Sequence, residues 1–258
     1  TVIVDLNTDK IKTEIRSLYI FGKYKKLVRG IPQAKWVCLK CHGKGCINCK
    51  GEGKLYPTSV QEIIEKPLLK AAKSKKSRFS AHGREDIDAR CLDYRPFVIE
   101  LLKPVKRKIN LKKIEKEINK SKKVKVKGLK FVDREMIRKL KSLRMDKTYL
   151  AVVEFEKDID KKKLKELKNL VREPILQKTP LRVVHRRADK FRKRLVKEIS
   201  WKLLSRKKLQ LKIRGETGLY IKELITGDEG RTRPNVTELL ENKVKKISLD
   251  VIKIHTKD

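Results

Sequence analysis

The sequence predicts an α+β fold: a mixed, mostly antiparallel sheet flanked by helices, carrying a small zinc-knuckle module. Three observations point there. Apolar residues recur at strand and helix periods along the chain, but never in the regular strand–helix–strand alternation of a doubly wound fold. Residues 195–213 read as a hairpin, with Leu195, Lys197, Ile199, Trp201 and Leu203 on alternate positions, a basic turn, then Leu209, Leu211 and Ile213. Four of the five cysteines, Cys38, Cys41, Cys46 and Cys49, lie within one short window.

Val2–Val4 and Leu18–Phe21 read as strands, the second punctuated by Gly22. The cysteine module follows. Residues 58–72 read as a helix capped by Thr58 or Ser59, with Val60, Ile63, Ile64, Leu68 and Leu69 as its apolar stripe and Pro67 expected to kink or divide it. A basic stretch, Lys73 to Arg78, leads into an acidic turn, and Phe97–Leu102 reads as a strand. Leu111, Ile114 and Ile118 predict a helix. Val124, Val126 and Leu129 predict a strand, and so does Tyr149–Phe155. Lys161–Val171 reads as a helix with Leu164, Leu167 and Val171 on one face. Beyond the hairpin, Gly218–Thr226 and Asn235–Glu241 read as short helices, and Ile247, Leu249 and Val251 as a last strand. Trp36 and Trp201 read as packing residues, and lone Cys91 as a small buried one.

The 258 residues carry 70 Lys+Arg against 32 Asp+Glu, a net charge of +38. A compact body so charged repels itself unless a polyanion neutralises it, and nucleic acid is the expected partner. No apolar run approaches the ~20 residues of a membrane span. Thr1 does not open a secretory signal, so a cytoplasmic protein with no membrane partner and no evident obligate protein partner is expected. A membrane-surface protein would concentrate its bases on one amphipathic helix, whereas here they run the whole length.

The cysteines form C-x2-C-x4-C-x2-C, each pair followed by alternating glycines, Gly43 and Gly45, then Gly51 and Gly53. Two such pairs can supply the tetrahedral thiolate set that zinc prefers, with no position left for water, so structural zinc is expected rather than a catalytic metal. Redox chemistry or two disulfides are the alternatives, and disulfides in so short a loop would be strained. His42 reads as a solvent-facing loop residue. The C-x-x-C-x-G-x-G units resemble the zinc repeats of DnaJ-type chaperones, but here the repeats abut rather than standing apart.

Most acids lie beside lysines and read as solvated pairs. Gly83-Arg84-Glu85-Asp86-Ile87-Asp88-Ala89-Arg90 differs, packing three acids and two arginines behind a glycine. An arginine-held carboxylate stays ionised and oriented, as a nucleophile or base must. This segment, with Arg95-Pro96-Phe97-Val98 after it, resembles the active-site segment of the archaeal and eukaryotic tRNA pseudouridine synthase family that acts on T-loop uridines. Further segments agree in the same order: Tyr24-Lys25-Lys26 through Arg29-Gly30-Ile31-Pro32-Gln33; Asp146-Lys147-Thr148-Tyr149; Thr179–Val183 with His185–Asp189; and Gly218–Leu224 with Gly227–Pro234. The cysteine turn matches the archaeal branch.

The resemblance implies that uridine is isomerised in the T loop of tRNA, without an organic cofactor, by breaking the C1′–N1 bond and joining C1′ to C5. It implies Asp86 as the catalytic aspartate. Tyr149 would stack on the base and help remove the C5 proton, and Lys222 is the basic residue that pairs with the aspartate. Arg84 would fill the gap left by the flipped uridine or hold a phosphate. Arg29, Tyr220, Arg186, Arg187, Arg231 and Arg233 would contact RNA. Asp88 reads as a turn residue or one that supports the site from behind rather than a second catalyst, His82 as non-catalytic, and His185 as an RNA contact rather than a base. The sequence departs from the family at Leu92-Asp93-Tyr94, a shorter turn without glycine, and at Leu150, where an arginine is expected. The alternative readings are a non-catalytic zinc protein that binds structured RNA and, more weakly, a chaperone-like zinc module. Residues 1–16 are expected to be the remnant of an upstream THUMP-type RNA-binding domain, since the chain opens on Thr inside a strand pattern. Residues 17–37 and 58–258 are expected to form the catalytic domain, with 38–57 as the zinc insertion.

Overall fold

The computed structural model describes residues 2–185 and 187–255. They form two compact units, one of residues up to Ile87 together with Tyr94–Leu143, the other of Asp88–Asp93 together with Arg144 onward.

The first unit opens with β1 (Val2–Asp5) and β2 (Lys10–Thr13), an antiparallel hairpin. β3 (Leu18–Lys26) buries Ile20, Gly22, Tyr24 and Lys26 in strict alternation. The break expected at Gly22 does not occur. The strand runs through it, because a Cβ there would lie 2.6 Å from Leu129 and 2.9 Å from Phe97, and only glycine lets both pack so close. α1 (Val60–Ala72) is capped by Ser59, whose side chain accepts from the Glu62 amide. Pro67 neither ends nor divides it, since Pro67 lies on the buried face with Val60, Ile64, Leu68 and Ala72, and that packing holds the helix. β4 (Lys76–Ala81) was not legible, since only Phe79 and Ala81 among its six residues are apolar. It pairs with β5 (Arg90–Leu102), of which the predicted strand Phe97–Leu102 is the later half. α2 (Leu111–Ile118) starts at Asn110, which caps the Lys113 amide. β6 (Val124–Val132) pairs with β3, which lies beside β5. α3 (Glu135–Ser142) was not foreseen. In the core, Phe79 stacks on Phe97 at 5.2 Å, and Tyr24 meets Phe97 edge-on at 6.0 Å.

In the second unit, β7 (Lys147–Phe155) is followed by a 3-10 stretch, Lys163–Lys168, and only a short α4 (Asn169–Arg172). The predicted face Leu164, Leu167 and Val171 is therefore corrected. Leu164, Leu167 and Leu170 are buried at the three-residue spacing of a 3-10 helix, and Val171 is exposed. β8 (Ile175–Gln177), α5 (Leu181–Val184) and β9 (Arg192–Arg194) come next. The predicted hairpin is β10 (Val196–Ser205) with β11 (Lys208–Gly215). Leu195 lies outside it and is exposed. A register shift between Val196 and Glu198 changes the phase, so Val196 points inward instead. α6 (Ile221–Thr226), β12 (Thr232–Arg233), α7 (Val236–Leu240) and β13 (Val244–Ile254) complete the chain.

The strand order β10-β11-β7-β13 is antiparallel throughout, and β13 runs parallel to the first residues of β5 at Asp250↔Arg90 and Val251↔Cys91. The sheet is thus mixed and mostly antiparallel, as expected. β12, β8 and β9 form a separate small sheet of strands too short to show a period. Trp201 packs on the core of this unit and Cys91 is fully buried, both as expected.

Candidate active site and metal centre

The acidic turn follows β4, and its three carboxylates divide. Glu85 is buried. Its Oε2 lies 3.0 Å from Arg95 Nε, and the Tyr24 hydroxyl donates to Oε1 and Oε2 at 3.0 and 2.9 Å. Gln33 Nε2 donates to the Tyr24 hydroxyl at 2.7 Å and to the Gly83 carbonyl at 3.0 Å, while Arg95 donates to the His82 carbonyl at 2.8 Å. A buried acid and a buried guanidinium at these distances compensate each other's desolvation and tie both sides of the turn to the core. Asp86 is half-buried. The Lys26 ammonium, on a fully buried residue, donates to the carbonyls of Asp86 and Ile87 at 3.0 Å each. The Gly30 amide donates to the same Ile87 carbonyl at 2.9 Å. Arg84 is exposed, and Arg29 is half-buried beside Gly30.

Asp88 belongs to the second unit and is exposed there. Lys222, in the first turn of α6, donates to both its oxygens at 2.9 and 2.8 Å. The structure thus gives Asp88 a definite partner where the sequence offered a turn or a supporting residue. Arg90 is fixed by Asp250 through its amide at 3.1 Å and its guanidinium at 2.6 Å, and this pairing raises the Arg90 pKa. Tyr149, the third residue of β7, is half-buried. Its backbone is held between β11 and β13, and its side chain packs beside Cys91, Met145, Val251 and Ile254.

Tyr220 precedes α6. Gln177 holds its main chain from both sides, accepting from the amide and donating to the carbonyl, each at 2.9 Å. The Tyr220 hydroxyl accepts from exposed Arg187 at 2.7 Å. Arg231 is engaged within the fold, with the Thr179 carbonyl at 2.8 Å and with Asp189. Burial raises the Asp189 pKa, but Lys178 and Arg231 together outweigh it and hold the carboxyl below its ordinary value. Arg233 is exposed, and Arg186 lies outside the described residues. Sequence reasoning missed Glu85 as an anchor, together with Arg95, Lys26, Tyr24 and Gln33. The only signal was that all five fall inside the recognised segments.

The four cysteine sulfurs lie within 4.8 Å of one another. The Cys38–Cys46, Cys41–Cys49 and Cys46–Cys49 pairs stand at 3.8, 3.7 and 3.7 Å. A tetrahedron with metal–sulfur bonds of about 2.3 Å has edges of about 3.8 Å, so the set fits one zinc ion. Amides of Gly45 and Gly53 point at Cys41 and Cys49 at 3.3 and 3.1 Å. Backbone amides lower the Cys38 and Cys46 pKa values, whereas burial raises that of Cys41. Two of the alternating glycines have a steric cause, since a Cβ on Gly45 would meet the Gly51 carbonyl at 2.7 Å and one on Gly53 would run into the Gly43 carbonyl. Trp36 packs edge-on against Tyr56 at 5.6 Å beside this module.

These features define an α+β protein with a carboxylate-bearing turn and a four-cysteine turn able to hold a metal ion. The family model described as Pus10, C-terminal matches residues 19–255, and the chain belongs to that family. The tRNA pseudouridine synthase Pus10 of Methanothrix thermoacetophila is 43% identical over 256 residues, covering 98% of this chain and 57% of that protein. The protein of the same name from Methanocaldococcus jannaschii is 47% identical over 258 residues, with coverage of 98% and 57%. That from Archaeoglobus fulgidus is 40% identical over 255 residues, with coverage of 98% and 71%. The chain therefore spans little more than half the length of the first two relatives. Among solved structures, a chain from a Cbf5-Nop10-Gar1 complex aligns with a TM-score of 0.46 at 14% identity, over 92% of this chain and 50% of that one, too weakly to support a reading.

Proposed function

We propose that this chain is the catalytic part of a tRNA pseudouridine synthase that isomerises one or both of two adjacent T-loop uridines. The observation that carries the reading is the acidic turn. A pair buried below it and a lysine on its main chain fix its path, and Asp86 stays partly open to solvent. The near full-length match to proteins named as tRNA pseudouridine synthases supports it.

In this reading Asp86 attacks C1′ or takes a proton from the ribose. Cleavage of the C1′–N1 bond leaves its electron pair on N1 and frees the uracil to turn; C5 then bonds to C1′ as the bond to Asp86 breaks or the ribose proton returns, and the proton lost from C5 is matched by one gained at N1. No electron or atom is gained, so no organic cofactor is required. Tyr149, on a strand held from both sides, stacks on the base. Lys222, set by Asp88, supplies the positive charge that the reaction uses. Exposed Arg84, Arg187 and Arg233, with Arg29, Arg186 and Tyr220, meet the RNA. Arg231 serves them by ordering the turn at Thr179. Zinc on Cys38, Cys41, Cys46 and Cys49 holds residues 38–57 as a structural insertion. Residues 17–37 and 58–258 are the catalytic domain, and 1–16 derive from an upstream RNA-binding domain. The setting is the cytoplasm. No described helix is long and apolar enough to cross a membrane.

The test is carbodiimide primer extension on unmodified tRNA transcripts treated with the chain and with Asp86→Asn. The native chain is expected to convert T-loop uridine, and the variant to bind tRNA but convert none. Conversion by the variant would overturn the role of Asp86. Binding without conversion by the native chain would favour the non-catalytic RNA-binding reading.

A further inference from the structure

A groove in the first unit lies outside everything assigned so far. It has a volume of about 560 Å³, runs between α1 and α2, and is floored by Pro67, Ala71, Ile109 and Ile114. Its walls carry Lys70, Lys73, Lys106, Lys108 and Lys113, and Glu117 is the one acid among its lining residues. All five lysines are exposed. Among the described residues none of the five has an ion-pair partner, whereas Lys54, Lys163, Lys208 and Lys245 each have a glutamate. α2 also opens without an acid in its first turn, so Glu117 alone among the lining residues offsets the lysines gathered there. The groove continues past Lys108 and Ile109 into a second hollow lined by Leu18, Arg107 and Phe131, and the Phe131 side chain is 46% exposed.

Unpaired lysines gathered around an apolar-floored groove repel one another and are relieved by a chain of regularly spaced negative charges. A phosphodiester backbone is such a chain, and an exposed ring at the end of the groove offers a face to a base or ribose. A second copy of this chain, at +38, lacks the complementary charge.

We propose that this groove binds a stretch of the RNA backbone as a second contact surface, separate from the residues assigned to the reacting uridine. The proposal rests on the reading that the substrate is RNA. It adds that affinity is shared with a face that does no chemistry.

The experiment measures binding of a tRNA transcript over a series of salt concentrations for the 258-residue chain. The groove variant Lys70→Gln/Lys108→Gln/Lys113→Gln is compared with a control of equal charge loss, Lys163→Gln/Lys208→Gln/Lys245→Gln, whose lysines are paired. Each neutralised phosphate contact adds about 0.9 to the slope of log affinity against log salt on duplex and about 0.7 on single strands. The groove variant is therefore expected to lose about two to three from the slope and to bind at least tenfold more weakly, while the control changes less than threefold. Thermal unfolding is expected to be the same for all three chains, because the lysines are exposed. At saturating tRNA the groove variant is expected to keep the native rate of conversion. Equal losses in the two variants would overturn the proposal. So would a groove variant that binds tRNA normally but loses binding to phosphatidylserine vesicles, which would make the groove a membrane surface. A native chain that binds tRNA but never converts it leaves the groove standing and removes the catalytic reading, so the two failures are distinguishable.

Discussion

Glu85 and Arg95 form an ion pair at 3.0 Å in which the two side chains are 0% and 1% exposed. A pair so deeply buried contributes little net stability over an apolar substitute, but losing one member leaves an uncompensated charge. Glu85→Gln and Arg95→Met are each expected to destabilise the protein by about 3–5 kcal/mol. Urea titration of the single and double variants checks this. A double variant no worse than either single is expected, since the second change removes the orphaned charge.

The Lys222–Asp88 pair is of the opposite kind. The Asp88 side chain is 63% exposed, so the pair adds less than about 1 kcal/mol to stability. If Lys222 works in catalysis, Lys222→Met is expected to lower conversion at least a hundredfold with little change in unfolding. Asp88→Ala is expected to lower it about tenfold. Single-turnover rates measured beside thermal unfolding separate the two effects. A parallel fall in stability and rate would mark Lys222 as structural.

The four-cysteine turn predicts one zinc per chain by elemental analysis of protein purified without chelator. Chelation is expected to release it and to raise proteolysis between Trp36 and Tyr56. Cys41→Ser is expected to do the same, and Gly45→Ala to weaken zinc retention by displacing the Gly51 carbonyl. Finding two metals, or none, would contradict the fit of the four sulfurs.

His255 predicts a pH effect. Its pKa is lowered from 6.5 by burial and by the positive charges of Arg214 and Lys253, and its Nε2 lies 2.8 Å from Thr148 Oγ1. A histidine with a lowered folded pKa binds its proton more readily when unfolded. Its contribution is therefore full above pH 6.5 and is lost as pH falls from there toward the folded pKa. Unfolding free energy is expected to drop over that window, and His255→Asn to flatten the drop. Urea midpoints from pH 7.5 to 5 would show it.

Much of the second unit was legible because its strands alternate cleanly. Leu209, Leu211 and Ile213 announce β11, and all three are buried. The failures have separate physical causes. β4 has too few apolar residues to show a period, and β8, β9 and β12 are too short. Leu164 and Leu167 fit both a 3.6 and a 3.0 period, and only packing chose Leu170 over Val171. Gly22 looked like a stop because a sequence does not display the ring of Phe97, 75 positions away, that needs its space. At the site, the acidic turn was legible as a motif, but its support was not. Glu85 and Arg95 are charged letters, and a reading that places charges outside has no means of finding them in the core.

The contact from Lys26 to the turn has a practical consequence. An ammonium that holds main-chain carbonyls is indifferent to the side chains those residues carry. Those two contacts remain available whether position 86 is aspartate, asparagine or alanine, so they survive a substitution made there. Substitution of Lys26 itself alters the frame and leaves the reactive group in place.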